Sequence, residues 1–134
     1  MITEKIKLRV RYSETDQMGF VYYGNYAAYL EVGRVAVMKK AGISYRKLEE
    51  EGVGLPVREM NIKYKQAAKY DDEIEVTTSI KEMPDRLIVF DYEIKRGEAV
   101  LVVATTTLFF MKKSSEELIR IPEQMKRQLR PFFS

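Results

Sequence analysis

The chain has 134 residues, 46% of them hydrophobic, with 23 Lys and Arg against 20 Asp and Glu for a net charge of +3. That length and apolar content point to a single domain over residues 1–134 with its own core, and no stretch approaches the ~18 apolar residues of a membrane span. With neither cysteine nor histidine, disulfides, a thiolate nucleophile and the commonest general base and metal ligand are excluded, so no metal site is expected and any catalysis falls to carboxylates, hydroxyls, Lys, Tyr or backbone.

The N-terminus lacks the basic-then-apolar order of a secretory signal, and the cytoplasm is the expected compartment. Acidic and basic residues interleave without a basic stripe, which argues against a nucleic-acid partner. Along the chain, Lys5 to Tyr12 alternates cation with apolar residue, predicting a strand with Ile6, Leu8, Val10 and Tyr12 inward. A polar turn, Ser13 to Gly19, leads to Asn25 as N-cap of a helix of about seventeen residues ending at Gly42. Its spacing puts Tyr26, Tyr29, Leu30, Gly33 and Val37 on the buried side and Glu31, Arg34, Lys39 and Lys40 elsewhere. Ser44 caps a second, short helix.

Strand periodicity then takes over. One long strand is predicted over Leu55 to Gln66, followed by a turn at Tyr70-Asp71-Asp72 and a strand from Glu73 to Glu82 that points Ile74, Val76, Thr78 and Ile80 one way. Met83-Pro84-Asp85 turns into a strand that groups Ile88, Phe90, Tyr92 and Ile94, and Arg96-Gly97-Glu98 turns into Ala99 to Met111, apolar on both sides like a central strand. Lys112 to Glu117 reads as a polar loop and Pro122 to Pro131 as a last helix. A strand, a long helix and four hairpin-linked strands call for one antiparallel sheet backed by the helix, an α+β fold, with an edge left to pair with another copy.

The chemically suggestive feature is Asp16, a lone carboxylate in the turn ahead of the helix, where free backbone N–H groups can hold developing negative charge. A thioester carbonyl needs little more than such a partial positive charge and a carboxylate acting as general base or nucleophile. The competing reading of Asp16 is that it merely caps its turn, a common use of Asp.

The stretch Val10-Arg11-Tyr12-Ser13-Glu14-Thr15-Asp16-Gln17-Met18-Gly19-Phe20-Val21-Tyr22-Tyr23-Gly24-Asn25-Tyr26, with Tyr29, Glu31 and Arg34, then Tyr64, Ala67 to Asp72, Ala104 to Thr107 and Arg120-Ile121-Pro122, resembles the hotdog-fold acyl-CoA thioesterases of the 4-hydroxybenzoyl-CoA type and their short-chain Tol-Pal-associated relatives. The resemblance implies a sheet wrapped around a long central helix, a homodimer joined edge to edge, assembly into a homotetramer, and an active site at the dimer interface. It assigns Asp16 as the catalytic carboxylate and the backbone N–H of Tyr23 as carbonyl donor, with Gly24 giving room for the substrate. Tyr22, Tyr26 and Tyr29 become candidates to line the acyl pocket, against the plainer role of core aromatics. Arg58 and Met60 would border the pantetheine arm, and Arg86 and Arg120 would meet phosphates of coenzyme A, which is part of the substrate; no separate cofactor is implied. Tyr23 stands where many Tol-Pal-associated relatives carry histidine. Hydratases of this fold use a histidine base and do not fit; the alternative is a non-catalytic acyl-CoA-binding hotdog domain.

Overall fold

The computed structural model describes residues 1–133. Seven strands form one antiparallel sheet: β1 (Ile2–Arg9), β2 (Val53–Gly54), β3 (Val57–Tyr64), β4 (Glu73–Ile80), β5 (Leu87–Arg96), β6 (Ala99–Lys112) and β7 (Glu117–Ile119). Three α-helices join them: α1 (Tyr26–Lys40), α2 (Tyr45–Glu50) and α3 (Glu123–Leu129). The sheet runs β1-β4-β5-β6, and β6 carries β3 and β2 on its far edge and β7 beyond the end of β5. No helix among the described residues is long and apolar enough to cross a membrane.

Alternation makes the core. Ile74, Val76, Thr78 and Ile80 of β4 and Ile88, Phe90, Tyr92 and Ile94 of β5 are all buried on the face that α1 covers. Hydrogen-bonded registers such as Thr78 opposite Tyr92 and Phe90 opposite Thr106 lock those rows together, because a slip by one residue would turn every apolar group to water. α1 lies against β1 and β4 and comes closest at Gly33, where a Cβ would sit 2.2 Å from Thr78 Oγ1 and 3.0 Å from Val76 Cγ1. Gly42, at φ +81°, ends the helix as expected, and Ser44 Oγ accepts the Lys47 N–H to open α2.

The structure corrects several expectations. Tyr12 is 77% exposed: the strand stops at Arg9, and the chain coils into a 3-10 turn at Tyr12–Glu14 that throws the ring outward onto Tyr70. Arg34 is buried, 7% exposed, with its Nη1 donating to the Tyr92 hydroxyl at 3.1 Å; it lies on the flank of the buried stripe, where a long side chain reaches in. α1 has fifteen residues and begins after a 3-10 turn at Tyr23–Asn25, so Asn25 is already helical and caps nothing; its Nδ2 donates instead to the Glu14 carbonyl at 2.8 Å. The strand expected over Leu55 to Gln66 is the shorter, bulged β3, with the separate two-residue β2 ahead of it, while the loop expected over Lys112 to Glu117 is a turn at 113–116 whose next residue, Glu117, opens the unforeseen β7. The outer side of β6 (Val103, Thr105, Thr107, Phe109) is half-buried, not core.

Candidate active site

The Asp16 turn is closed by its own backbone. Asp16 N–H donates to the Phe20 carbonyl at 2.8 Å and Gly19 N–H to the Asp16 carbonyl at 3.0 Å, with Gly19 in the left-handed region at φ +80°. Asp16 Oδ1 accepts the N–H groups of Met18 (2.9 Å) and Phe20 (3.2 Å), so the turn-capping role is real. Those two bonds occupy one oxygen and fix the carboxylate plane. Oδ2 takes no hydrogen bond from the described residues.

Two neighbouring segments carry the turn. Val21 N–H donates to the Ala68 carbonyl at 2.8 Å and Tyr70 N–H to the Gly19 carbonyl at 3.1 Å, tying it to the loop ahead of β4. Glu14 ties it to α1: its carbonyl accepts from Tyr22 N–H and Asn25 Nδ2, and its carboxylate accepts from Arg11 N–H at 2.8 Å and the Tyr29 hydroxyl at 3.0 Å. Burial pushes the Glu14 carboxyl up, but the bonds from Arg11 and Tyr29 outweigh it and hold it below the usual carboxylate range. Burial, then the adjacent Glu14 carboxylate, drive the Tyr29 hydroxyl far above the usual tyrosine range, so it stays a donor. Sequence reasoning missed Glu14, whose only advance signal is its i, i+3 relation to Arg11.

Asp16 lines a cleft of about 320 Å³ with Phe20, Tyr23, Tyr26, Tyr64 and Lys65 among its walls. Tyr26 is buried as its floor, and the Tyr26 hydroxyl accepts the Ala68 N–H at 3.1 Å. Tyr64, at the end of β3, sets its ring edge-on to Tyr26 and donates its hydroxyl to the Tyr23 carbonyl at 3.4 Å. At the helical start, the N–H groups of Tyr23 and Gly24 precede any intrahelical acceptor and donate to nothing among the described residues. The cleft is thus lined both by the half-free carboxylate of Asp16 and by Tyr23, whose free amide, followed in the chain by that of Gly24, stands at the positive end of a helix.

A model of the thioesterase-like superfamily matches residues 10–129. The chain belongs to the thioesterase-like superfamily. Within it, YneP of Bacillus subtilis is 42% identical over 94 residues, 70% of this chain and 68% of that one. The acyl-CoA thioester hydrolase YbgC of Escherichia coli is 34% identical over 95 residues, 71% of each chain. A DHNA-CoA thioesterase from Staphylococcus aureus, solved by crystallography, superposes with a TM-score of 0.93 at 29% identity, covering 98% of this chain and 91% of that one. The helix-backed antiparallel sheet is accordingly the hotdog fold of this superfamily.

The other residues singled out from sequence lie elsewhere in the chain. Tyr22 is exposed, packs on the Tyr23 ring at 4.6 Å and is not a wall of the cleft. Met60 lies on the helix side of β3, in the row of Ile62 and Tyr64, left bare because α1 does not reach it. Arg58 stacks over the Phe109 ring at 5.4 Å on the outer side of the sheet. Arg86 follows the β4–β5 turn, and Arg120 Nε stands 3.9 Å from Asp85 Oδ1 in that turn, with Ile121 N–H on the Asp85 carbonyl at 2.7 Å. That turn lies at the opposite end of β4 from the Asp16 loop, roughly 25 Å away for eight strand residues. Among the described residues no group of three or more His, Cys, Asp or Glu is placed to hold a metal.

Proposed function

We propose that the chain is an acyl-CoA thioesterase that works at the Asp16 cleft as a homodimer paired through β3. The single observation that carries this reading is that Asp16, with Oδ2 unoccupied, and Tyr23, with its backbone N–H unoccupied, line the same cleft at the helix start. The superfamily membership and the thioester hydrolase YbgC support the substrate class.

The thioester carbonyl oxygen sits against the Tyr23 and Gly24 amides, which strengthen their hold as it becomes an oxyanion. Acting as nucleophile, Asp16 Oδ2 bonds to the carbonyl carbon, the C–S bond breaks, and coenzyme A leaves as a thiolate that takes a proton from solvent. Water then hydrolyses the mixed anhydride to free acid and regenerated carboxylate. Acting as base, Oδ2 instead takes a proton from water as the water oxygen bonds to the carbonyl carbon; the C–S bond then breaks, and the proton passes from Asp16 to the departing coenzyme A thiolate, regenerating the carboxylate. Both routes need only water as co-reactant.

The two-fold pairing explains the scatter of the remaining candidates. Tyr64 ends β3 at the cleft; Val57, at the other end, lies beside Leu108 and hence near β7 and the Arg86–Arg120 corner. Antiparallel pairing of β3 with its copy brings that far end of the partner to this chain's cleft. Arg58 and Met60, with Arg86 and Arg120 behind them, then complete the site from across the edge, the two corner arginines meeting coenzyme A phosphates.

Thiol release across a panel of acyl-CoA esters tests the reading. Asp16→Asn and Asp16→Ala are expected to stay folded and keep the native mass while losing on the order of 100-fold or more in turnover. Variants as fast as the native protein would remove Asp16 from the chemistry, and binding of acyl-CoA without thiol release would show the non-catalytic binding domain instead.

A further inference from the structure

The segment 67–72, between β3 and β4, belongs to no strand or helix, yet it meets several parts of the Asp16 cleft. Ala67 is one of the cleft walls, the Ala68 N–H reaches the Tyr26 hydroxyl, and Lys69 bridges to Phe20. With the bonds it shares with Val21 and Gly19, this loop holds the back of the Asp16 turn and the floor of the cleft at once. A loop that sets a site must itself be set by a rigid scaffold.

Two side chains supply that hold. Arg96, at the end of β5, donates from one nitrogen, Nη1, to the Asp72 carboxylate at 2.8 Å and to the Ala67 carbonyl at 3.2 Å, joining the last residue of the loop to the first. The same Asp72 oxygen, Oδ2, accepts the Lys69 N–H at 2.8 Å. Burial pushes the Asp72 carboxyl up, but Arg96 and the Lys69 N–H outweigh it and hold it below the usual carboxylate range, so it stays charged. Among the described residues this is the shortest ion pair, and with side chains 33% and 22% exposed it is the best shielded from water. Neither Asp72 nor Arg96 lines the cleft.

We infer that Asp72 and Arg96 are positioning residues of the Asp16 site, a role that deepens the thioesterase reading and rests on it. By spanning the loop they fix where the Asp16 turn stands against Tyr26 and the start of α1. Loosening the loop displaces the carboxylate relative to the Tyr23 amide and removes neither group.

Amide hydrogen exchange by NMR, which follows the Val21 and Tyr70 N–H groups one by one, tests this beside steady-state thiol release. Arg96→Met keeps the stem and loses the charge; Asp72→Asn keeps an acceptor for Lys69 and loses the ion pair. Once circular dichroism shows them folded, both are expected to exchange those two amides at least ~10-fold faster than the native chain. Their kcat is expected to fall about tenfold or more with KM within about twofold, because a shifted carboxylate slows the chemistry and leaves the coenzyme A contacts alone. Arg96→Lys, which restores a cation, is expected to recover most of both. Arg46→Met, which breaks the exposed pair with Glu50 instead, is expected to change neither. Native exchange in Arg96→Met or Asp72→Asn would overturn the inference, as would faster exchange with a native kcat, which would leave the pair a stabilising role only. A native chain that releases no thiol from any acyl-CoA would count against the thioesterase reading instead, and exchange, which needs no substrate, would still decide whether the pair holds the loop.

Discussion

The two free edges of the sheet differ in kind. Along β1, Lys5, Lys7 and Arg9 alternate outward; Lys7 and Arg9 reach Glu73 at 3.7 and 3.3 Å, and Lys40 Nζ covers the Thr3 carbonyl at 2.7 Å. Charge repeated at every second position keeps another strand away. Along β3 no side chain forms an ion pair among the described residues, and Val57, Met60 and Tyr64 are 46%, 38% and 50% exposed. One edge has its outward charges paired and a carbonyl covered, whereas the other leaves its outward charges unpaired and the row Met60, Ile62 and Tyr64 without a neighbour. The half-open cleft lies at the end of that unpartnered edge, so under the proposed pairing assembly and site formation are the same event.

The largest effect that would break this contrast comes from charging the open edge. Met60→Glu/Ile62→Glu is expected to abolish pairing through β3 and to cut thioester turnover by roughly 100-fold, the cost of misplacing substrate-positioning groups, whereas Lys5→Glu on β1 leaves both unchanged. Analytical ultracentrifugation beside a thiol-release assay reads the two consequences together; equal responses at the two edges would dissolve the distinction.

A smaller effect probes the ground both edges share. At Gly33, where a Cβ would lie 2.2 Å from Thr78 Oγ1, Gly33→Val overpacks the junction of α1 and β4 and is expected to cost about 1–3 kcal/mol in denaturant unfolding. An unchanged midpoint would mean that the helix rides higher on the sheet than described.

The smallest effect concerns Glu14. Its carboxyl titrates below its ordinary range in the folded chain, so the stability it contributes is fully present above the unfolded value and disappears as pH falls through the folded one. Glu14→Gln is therefore expected to lower the melting midpoint near neutral pH and to match the native chain at the acid end, flattening the acid limb. Parallel curves for the two proteins would contradict the Glu14 clamp.

Much of the scaffold was legible because burial is periodic. The alternation of Ile74, Val76, Thr78 and Ile80 and the helical spacing of Tyr26, Tyr29, Leu30, Gly33 and Val37 each leave one face for a core, and those faces meet as expected. The errors occur where periodicity has no purchase. Tyr12 continues the alternation past the point where the strand stops, and Arg34 sits at the margin of the buried stripe, where a cation is assigned to water until Tyr92 is seen to meet it. β2 and β7, two and three residues long, are too short to show a period.

The site was legible in half. Asp16 and the helix start announce themselves through turn chemistry and orphan amides, while Glu14 and Tyr64 act through contacts that join residues fifteen and forty-one positions apart. Arg58, Met60, Arg86 and Arg120 could be picked out by type, yet no single chain gathers them at Asp16. Under the proposed pairing their place depends on a neighbour across β3, which one sequence read as one chain does not contain.

Mixing two crippled proteins tests this shared site most directly. Asp16→Asn retains the arginine corner, Arg86→Ala/Arg120→Ala retains the carboxylate, and each alone is expected to be nearly inactive at subsaturating acyl-CoA. After subunit exchange, half of the β3 pairs combine one of each and own one intact site in two, so thiol release should recover to about a quarter of the native rate. A mixture that stays as inactive as its parents, once exchange is verified by mass, would place both groups in the same chain's site and contradict the account.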